Sequence, residues 1–184
     1  FSGRAGTGLL ALLITAAGAA SVYYGPISMA KAGAGVPPIH DISTDTDNPP
    51  VFVEVLPLRE GAKNPAAYDT EQTAQQLEAY PDVKTIVVGD KTYDEVFAAA
   101  QAALQGLGVN IIAANKQDGR LEAVWTSTAF QFKDDIVVRI MPGEGGVFLI
   151  DVRSKSRFGR SDIGMNAKRI REFMVLFEAQ LISG

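Results

Sequence analysis

The chain has 184 residues, a net charge of −4 and no cysteine. This length accommodates one ordinary domain with an additional segment. The absence of cysteine excludes disulfide bonds and thiol chemistry. The acidic balance argues against a general nucleic-acid-binding protein, so we expect no nucleic-acid partner.

The most apolar stretch lies near the start, where residues 5–30 contain no charged side chain. At about 1.5 Å per residue, a helix of this length can cross the roughly 30 Å apolar core of a bilayer. Tyr23 and Tyr24 lie near one end, where aromatic residues meet the membrane surface, and Pro26 ends the helix. We therefore predict a transmembrane helix with its flank over residues 1–31. A signal peptide is the alternative, because alanine and glycine are abundant.

Small side chains are frequent in the predicted membrane helix, and small residues let helices approach each other closely in lipid. The positions concerned are Ala16, Ala17, Gly18, Ala20 and Ser21. They predict a neighbouring helix, either from a part of this chain before Phe1 or from another protein, and we expect an integral-membrane protein partner.

Residues 32–82 read as a Pro-rich extended tether, because proline removes a backbone donor and disfavours helix before it. Within this tether, the sequence VFVEVLPL at residues 51–58 predicts one edge strand. The sequence TEQTAQQLEAY at residues 70–80 predicts a short helix that ends before Pro81.

Residues 83–184 have a regular pattern of strands and helices. A β-branched run from Val83 precedes a helix whose Thr92 and Glu95 stand at capping-box spacing. Asp118 and Gly119 predict a hairpin turn between two strands, and two further strands precede a final helix with Asn166 as its N-cap. The order β-α-β-β-β-β-α predicts an α+β fold, in which two helices pack on a mainly antiparallel sheet of four to five strands in two layers.

The sequence VPPIHDISTDTDNPP at residues 36–50 contains the single histidine of the chain. Its candidate acid/base residues are His40, Asp41 and Asp45. The aspartate spacing differs from a calcium loop, since proline and leucine occupy positions 50 and 56, which need glycine and glutamate. We predict no metal site and no cofactor. The alternative is a structural strap, held extended by prolines and by local hydrogen bonds.

A basic stretch spans residues 151–171, which hold seven of the 17 basic residues and two acidic residues. Its candidate anion-binding residues are Arg153, Arg157, Arg160, Lys168 and Arg169. Strand alternation places Arg153, Lys155 and Arg157 on one face, and a helix start can bind an anion. The alternative is internal pairing, with the acidic strap docked on the basic stretch.

An aspartate pair and a set of aromatic residues are two further candidates for a functional site. Asp134 and Asp135 are predicted in a hairpin turn between apolar runs, exposed to solvent. Aromatic side chains that an apolar cavity can use are Trp125, Phe130, Phe132 and Phe148.

Three blocks in combination, PPIHDISTDTDNPP, RLEAVWTSTAFQFKDDIVVRI and IDVRSKSRFGRSDIGMNAKRIREF, resemble a widespread bacterial family of membrane-anchored domains of unknown function. The resemblance covers roughly residues 36–180. It implies a structural module of the bacterial envelope. It brings no activity, substrate or catalytic residue with it.

These observations favour a non-catalytic accessory or assembly subunit of a larger membrane-protein complex. We expect it in the bacterial inner membrane, with the α+β domain on the periplasmic side. An alternative is a module that binds a lipid or another anionic or apolar ligand. A third is a hydrolase or isomerase that uses His40 with Asp41 or Asp45.

Overall fold

A computed structural model describes residues 36–128 and 130–183. The predicted membrane helix, with its packing residues Ala16, Ala17, Gly18, Ala20 and Ser21, lies outside these residues. Within the described ranges, no helix combines the length and the apolar character needed to cross a membrane. From Pro37 onward the chain forms one compact unit, to which the predicted Pro-rich segment therefore contributes.

The unit is an α+β fold with six strands and three α-helices. The strands are β1 (Asp41–Ser43), β2 (Ile86–Val88), β3 (Asn110–Asn115), β4 (Arg120–Thr126), β5 (Lys133–Pro142) and β6 (Phe148–Ser156). The helices are α1 (Thr73–Ala79), α2 (Tyr93–Gly106) and α3 (Met165–Ser183). Three short 3-10 turns occupy Leu56–Arg59, Thr70–Gln72 and Glu144–Gly146.

All strand pairs are antiparallel, in the order β1-β6-β5-β4-β3, and β2 pairs with β6. Along one edge of β6, β1 pairs with residues 153–155 and β2 with residues 148–150. The antiparallel α+β prediction is confirmed, but the sheet has one strand more than the four to five predicted. The unpredicted strand is β1, whose three residues are too short to show a two-residue alternation.

Helices α2 and α3 pack on one face of the sheet, where the main core lies. The capping box at the start of α2 and the hairpin between β3 and β4 are both confirmed. Side chains of that core from the strands include Ile136, Val138, Ile150 and Val152, and those from the helices include Phe97, Leu104, Ile170 and Phe173. Burial of this apolar surface is the main force that holds the layers together.

Residues 44–69, hereafter the covering segment, cross the opposite face of the sheet. Phe52 and Val55 pack there against Val124 and Val137 in a second, smaller core. The edge strand predicted over residues 51–58 is wrong, since a 3-10 turn begins at Leu56 with proline in its first turn. The backbone donors at residues 53–55 bond to a carboxylate instead of a neighbouring strand.

Two local predictions at the polar ends of strands and helices are also wrong. Asn166 does not cap α3, because its side chain turns inward and Asp162 accepts the N–H groups of Gly164 at 2.8 Å and Asn166 at 2.7 Å. Asp134 and Asp135 lie buried within β5 rather than in a turn. The connection between β4 and β5, described at residues 127–128 and 130–132, precedes both aspartates, because buried cations pair with both carboxylates.

Candidate functional site

Charged side chains line the sheet face beneath the covering segment. Because side chains alternate along a strand, Arg153 and Lys155 of β6 point to the covering segment, as does Arg157 directly after the strand. Val152 and Ile150 point to the helices. The shared face predicted for the three cations is confirmed. We call the group the charged network, and it consists of Asp41, Arg59, Glu122, Asp135, Arg153, Lys155 and Arg157, all buried.

Asp41 is the first anion of the charged network. Its carboxylate accepts hydrogen bonds from Nε of Arg153 at 2.8 Å, from Nη2 of Arg153 at 2.9 Å and from Nζ of Lys155 at 2.7 Å. The backbone N–H of Asp69 donates a fourth bond at 3.2 Å. Asp41 and Lys155 are 0% exposed and Arg153 is 2% exposed. One anion thus pairs with two cations that are almost completely buried.

The same two cations also hold the covering segment. Arg153 donates to the carbonyls of Pro50 at 3.1 Å and Ala66 at 3.0 Å, and Lys155 donates to the carbonyl of Ala67 at 2.7 Å. The Arg153 guanidinium lies 4.8 Å from the ring centroid of Phe52, within cation–π range. Burial lowers the pKa of Lys155, and the attraction of Asp41 opposes that effect. Each side-chain nitrogen of Arg153 and Lys155 therefore donates at least one hydrogen bond inside the protein.

Asp135 is the second anion, and it pairs with Arg59 and Arg157. Arg157 donates to Oδ1 through Nε at 3.0 Å and Nη2 at 2.6 Å, and Arg59 donates to Oδ2. Both guanidinium groups bond further to backbone carbonyls, of Asn64 at 2.7 Å for Arg59 and of Leu58 for Arg157. This cluster fixes the end of the 3-10 turn to the sheet.

Glu122 is the third anion, and it binds backbone. Its carboxylate accepts the successive N–H groups of Val53, Glu54 and Val55 at 3.0 to 3.1 Å. Nε of Arg120 lies 3.0 Å from Oε1, although its N–H is not directed at that oxygen. Successive amides that converge on one anion form a nest. The carboxylate replaces the strand partner that these three residues lack.

Asp151 and Asp45 share one arginine at the edge of the charged network. Nη2 of Arg139 lies 2.8 Å from Asp151 and 2.9 Å from Asp45. Asp151 also accepts hydroxyl bonds from Thr44 at 3.0 Å and Thr85 at 2.6 Å. The docking of the acidic strap on the basic stretch is therefore confirmed for Asp41, which pairs with Arg153 and Lys155. Asp45 pairs instead with Arg139, outside that stretch.

A second polar cluster lies on the helix face, around Arg169. This guanidinium donates to Asp134 at 2.9 Å, to Ser154 at 2.9 Å and to Asn166 at 2.6 Å. It lies 4.6 Å from the ring centroid of Trp125. Arg169 therefore joins α3 to the sheet and is 5% exposed.

His40, the candidate acid/base residue, is buried at the start of β1. Its backbone N–H donates to Oε1 of Gln72 at 2.9 Å, and its Nδ1 lies 3.1 Å from Nε2 of the same amide. Because an amide nitrogen donates, Nδ1 accepts and the ring is held neutral. Burial, followed by repulsion from Lys155, lowers the pKa of His40. Asp41 is committed to its two cations and Asp45 to Arg139, so the three candidates do not converge.

The predicted anion-binding residues occupy four separate places. Arg153 and Arg157 belong to the charged network, and Arg169 lies on the helix face. Lys168 is exposed, 3.6 Å from Glu172 one turn along α3. Arg160 is exposed in the loop after β6. These side chains therefore do not surround a common ligand.

The aromatic residues considered for a cavity do not share one. Trp125 lies beneath Arg169, and Phe148 packs beside Tyr93 with ring centroids 5.8 Å apart. Phe130 and Phe132 stack on each other at the surface. A groove of about 570 Å³ lies elsewhere, between the end of α2 and the exposed side of α3, and is lined by Gly106, Leu107, Lys168, Arg171, Glu172, Val175 and Leu176.

Sequence reasoning missed Arg59, Glu122 and Asp135 as members of the charged network, and Arg139 as the partner of Asp45 and Asp151 at its edge. The available signal was the pattern DDIVVRI, in which charges at both ends of an apolar run share a strand face with Val137. Nothing in the local sequence paired them with the covering segment, because these contacts join residues 67 to 94 positions apart.

In the charged network, every carboxylate has a hydrogen-bond partner inside the protein. Its carboxylates bond to cations or backbone amides, and its cations also bond to carbonyls. In the part of the chain that the structure describes, no three His, Cys, Asp or Glu side chains stand close enough together to hold a metal ion. The arrangement can hold the covering segment on the sheet.

A comparison with known protein families covers most of the compact unit that begins at Pro37. The family described as protein of unknown function DUF1499 matches residues 41–177, from the start of β1 into α3. Comparison with curated proteins gives no match. The matched range contains every member of the charged network, which makes the docked covering segment part of the family domain. The chain belongs to the DUF1499 family of proteins of unknown function.

Proposed function

We propose that this protein is a non-catalytic, membrane-anchored accessory or assembly subunit of a larger bacterial membrane-protein complex. Its anchor is the uncharged stretch over residues 5–30, in the inner membrane, with the α+β unit on the periplasmic side. The observation that carries the proposal is the internal use of the charged side chains. Asp41, Asp135 and Arg169, which a reaction or an anionic ligand would need, are engaged in structural contacts.

The charged network supports an interaction role through rigidity. Ion pairs buried as deeply as these contribute little net stability, but breaking one is costly. We expect these pairs to hold the covering segment in one arrangement. A covering segment held in one arrangement presents a fixed surface. A preorganised surface binds a partner with less loss of conformational entropy.

One observation favours a second candidate function, the binding of an anionic lipid. The groove beside α3 has an apolar floor of Leu107, Val175 and Leu176, and Lys168 and Arg171 stand at its rim. An acyl chain and an acidic headgroup match these two features. Glu172 lies 3.6 Å from Lys168, and Nε of Arg171 is paired with Asp82 at 2.6 Å. Both cations thus have an acidic partner already, which weakens the attraction for an anion.

The test is extraction of the full chain from its native membranes in gentle detergent or nanodiscs, followed by mass spectrometry of what stays bound. The proposal expects integral-membrane subunits at a fixed ratio. A protein recovered alone would overturn it, and recovery alone with stoichiometric lipid would favour the second candidate.

A matched pair of variants tests the anchor in the same preparation. Leu13→Arg with Ala17→Arg places charges at the centre of the predicted span, each costing about 2.5 to 3.5 kcal/mol in a membrane. We expect this variant to leave the membrane fraction, while Leu13→Val with Ala17→Ser stays. Equal membrane recovery of both variants would refute the predicted anchor.

A further inference from the structure

Three loops meet at one end of the sheet, which we call the loop end. They are residues 60–64, residues 127–128 and 130–132 with Lys133 at the start of β5, and residues 157–161. The backbone N–H of Arg157 donates to the carbonyl of Lys133 at 3.0 Å, and its own carbonyl accepts from Lys63 at 3.1 Å. Nδ2 of Asn64 donates to the carbonyl of Gly159 at 2.9 Å. These bonds tie the three loops into one surface.

The loop end exposes three large aromatic side chains. Phe130 is 67% exposed, Phe132 51% and Phe158 42%. Phe130 and Phe132 stack with ring centroids 5.7 Å apart. Exposed apolar groups that cluster, unlike single ones, mark sites of interaction with a protein or a membrane.

The same surface is positively charged. Its exposed cations are Lys63, Lys133 and Arg160, against one exposed carboxylate, Glu60. Among the described residues, no carboxylate lies within ion-pairing distance of these three cations. The loop end is therefore basic although the chain carries a net charge of −4.

The chain also enters the compact unit at the loop end. The carbonyl of Ile39 accepts the N–H of Asp162 at 3.1 Å, and the N–H of Ile39 donates to the carbonyl of Pro37 at 2.8 Å. The first residues of the unit thus lie directly beside the loop that follows β6.

We infer that the loop end docks on the surface of an anionic lipid bilayer. Phenylalanine side chains insert at the boundary between headgroups and acyl chains, and cations around them attract acidic headgroups. Both features coincide here on a surface whose loops are held together by hydrogen bonds. Binding of this kind adds a second contact to the proposed function and does not depend on its complex or its anchor.

The experiment places one environment-sensitive fluorophore on the full chain, which contains no native cysteine. Thr128→Cys carries the probe at the loop end, and Gln117→Cys carries it in the hairpin between β3 and β4. Both positions are exposed. The two lie at opposite ends of the seven-residue strand β4, about 20 Å apart or more.

The protein is presented to phosphatidylcholine bilayers, with or without phosphatidylglycerol, that carry a lipid-attached quencher. We expect quenching of the probe at residue 128 but not at residue 117, only with phosphatidylglycerol present. The effect decreases at high salt, because the attraction is screened. Equal quenching with and without the anionic lipid, or none at residue 128, would overturn the inference.

Two sets of variants separate the contributions. Replacing Lys63, Lys133 and Arg160 with glutamine should weaken docking roughly 100-fold, since each basic residue near the surface contributes about fivefold. Phe130→Ser with Phe132→Ser should abolish quenching at residue 128. Val87→Ser, which removes an exposed apolar side chain on β2, should not change it.

The test distinguishes this inference from the proposed function. Quenching by anionic lipid in a chain that copurifies with no subunit would support the loop end and refute the complex. If the probe at residue 128 were shielded from solvent in native membranes but not in protein-free bilayers, lipid docking would be refuted. A protein would then be indicated as the partner.

Discussion

Replacement of Asp41 by asparagine is the most informative change in the charged network. Asparagine has nearly the same shape as aspartate but no charge, so it leaves Arg153 and Lys155 without their shared anion. Both cations are buried and remain bonded to carbonyls of the covering segment. The substitution therefore isolates the electrostatic role of the carboxylate.

The magnitude follows from burial. Breaking a buried ion pair by removing one partner costs about 3 to 5 kcal/mol, because an uncompensated charge stays in the interior. Three of the four hydrogen bonds to Asp41 come from cations, and these are stronger than neutral bonds. A domain of this size has a free energy of unfolding of about 5 to 15 kcal/mol. Asp41→Asn should therefore remove a large part of it.

The assay is urea unfolding of the wild type and of two variants, followed by the fluorescence of Trp125. Asp45→Asn is the matched control, because Asp45 is partly exposed and Arg139 keeps its bond to Asp151. It should cost about 1 kcal/mol or less. If Asp41→Asn also cost less than about 1 kcal/mol, the network would not hold the covering segment and the reasoning would fail.

Three other changes test separate parts of the fold. A Cβ at Gly119 would lie 2.2 Å from the carbonyl oxygen of Ile140, whereas one at Gly108, also at positive φ, meets nothing within 4 Å. In thermal unfolding, Gly119→Ala should therefore lower the free energy of unfolding by about 1 to 3 kcal/mol more than Gly108→Ala. The pKa of His40 is lowered from 6.5 in the folded protein, so below pH 6.5 the unfolded chain binds more protons than the folded one. The free energy of unfolding should therefore fall as the pH drops from 6.5 through the lowered pKa, by at most about 1.4 kcal/mol per pH unit. His40→Gln should remove this pH dependence. Asp162→Ala deletes the cap of α3 and should cost about 0.5 to 2 kcal/mol in urea unfolding, with Asp162→Ser less affected.

Each of these three predictions has a contradicting result. Equal costs for the two glycine variants would show that the turn at Gly119 adapts to a side chain. A pH slope unchanged in His40→Gln would mean that the histidine titrates alike in both states. An α3 start that exchanges amide protons no faster in Asp162→Ala would place its cap elsewhere.

The regular part of the fold could be predicted from local sequence. Thr92 and Glu95 define the start of α2 by their own hydrogen bonds, and Asp118-Gly119 defines a turn. Strands β3 to β6 follow from alternation and β-branched residues. Such signals act over a few residues, so one sequence is enough to recognise them.

The covering segment and the charged network could be predicted only in part. The docking of the strap on the basic stretch followed from opposite charge, but the partners did not. Glu122 takes the backbone of residues 53–55, and Asp135 takes Arg59, 76 positions away. The strand propensity of residues 51–58 was overridden for two reasons. The Glu122 carboxylate binds the N–H groups of residues 53–55, and Pro57 has no N–H to donate to a neighbouring strand.

Hydrogen–deuterium exchange at Val53, Glu54 and Val55 tests most directly that the charges serve to hold the covering segment rather than a ligand. These three amides lie outside every helix and strand and donate to Glu122. The account predicts slow exchange, at the level of the core strands, in the protein without any added ligand, and fast exchange in Glu122→Gln. Exchange in the wild type as fast as in exposed loops would contradict it.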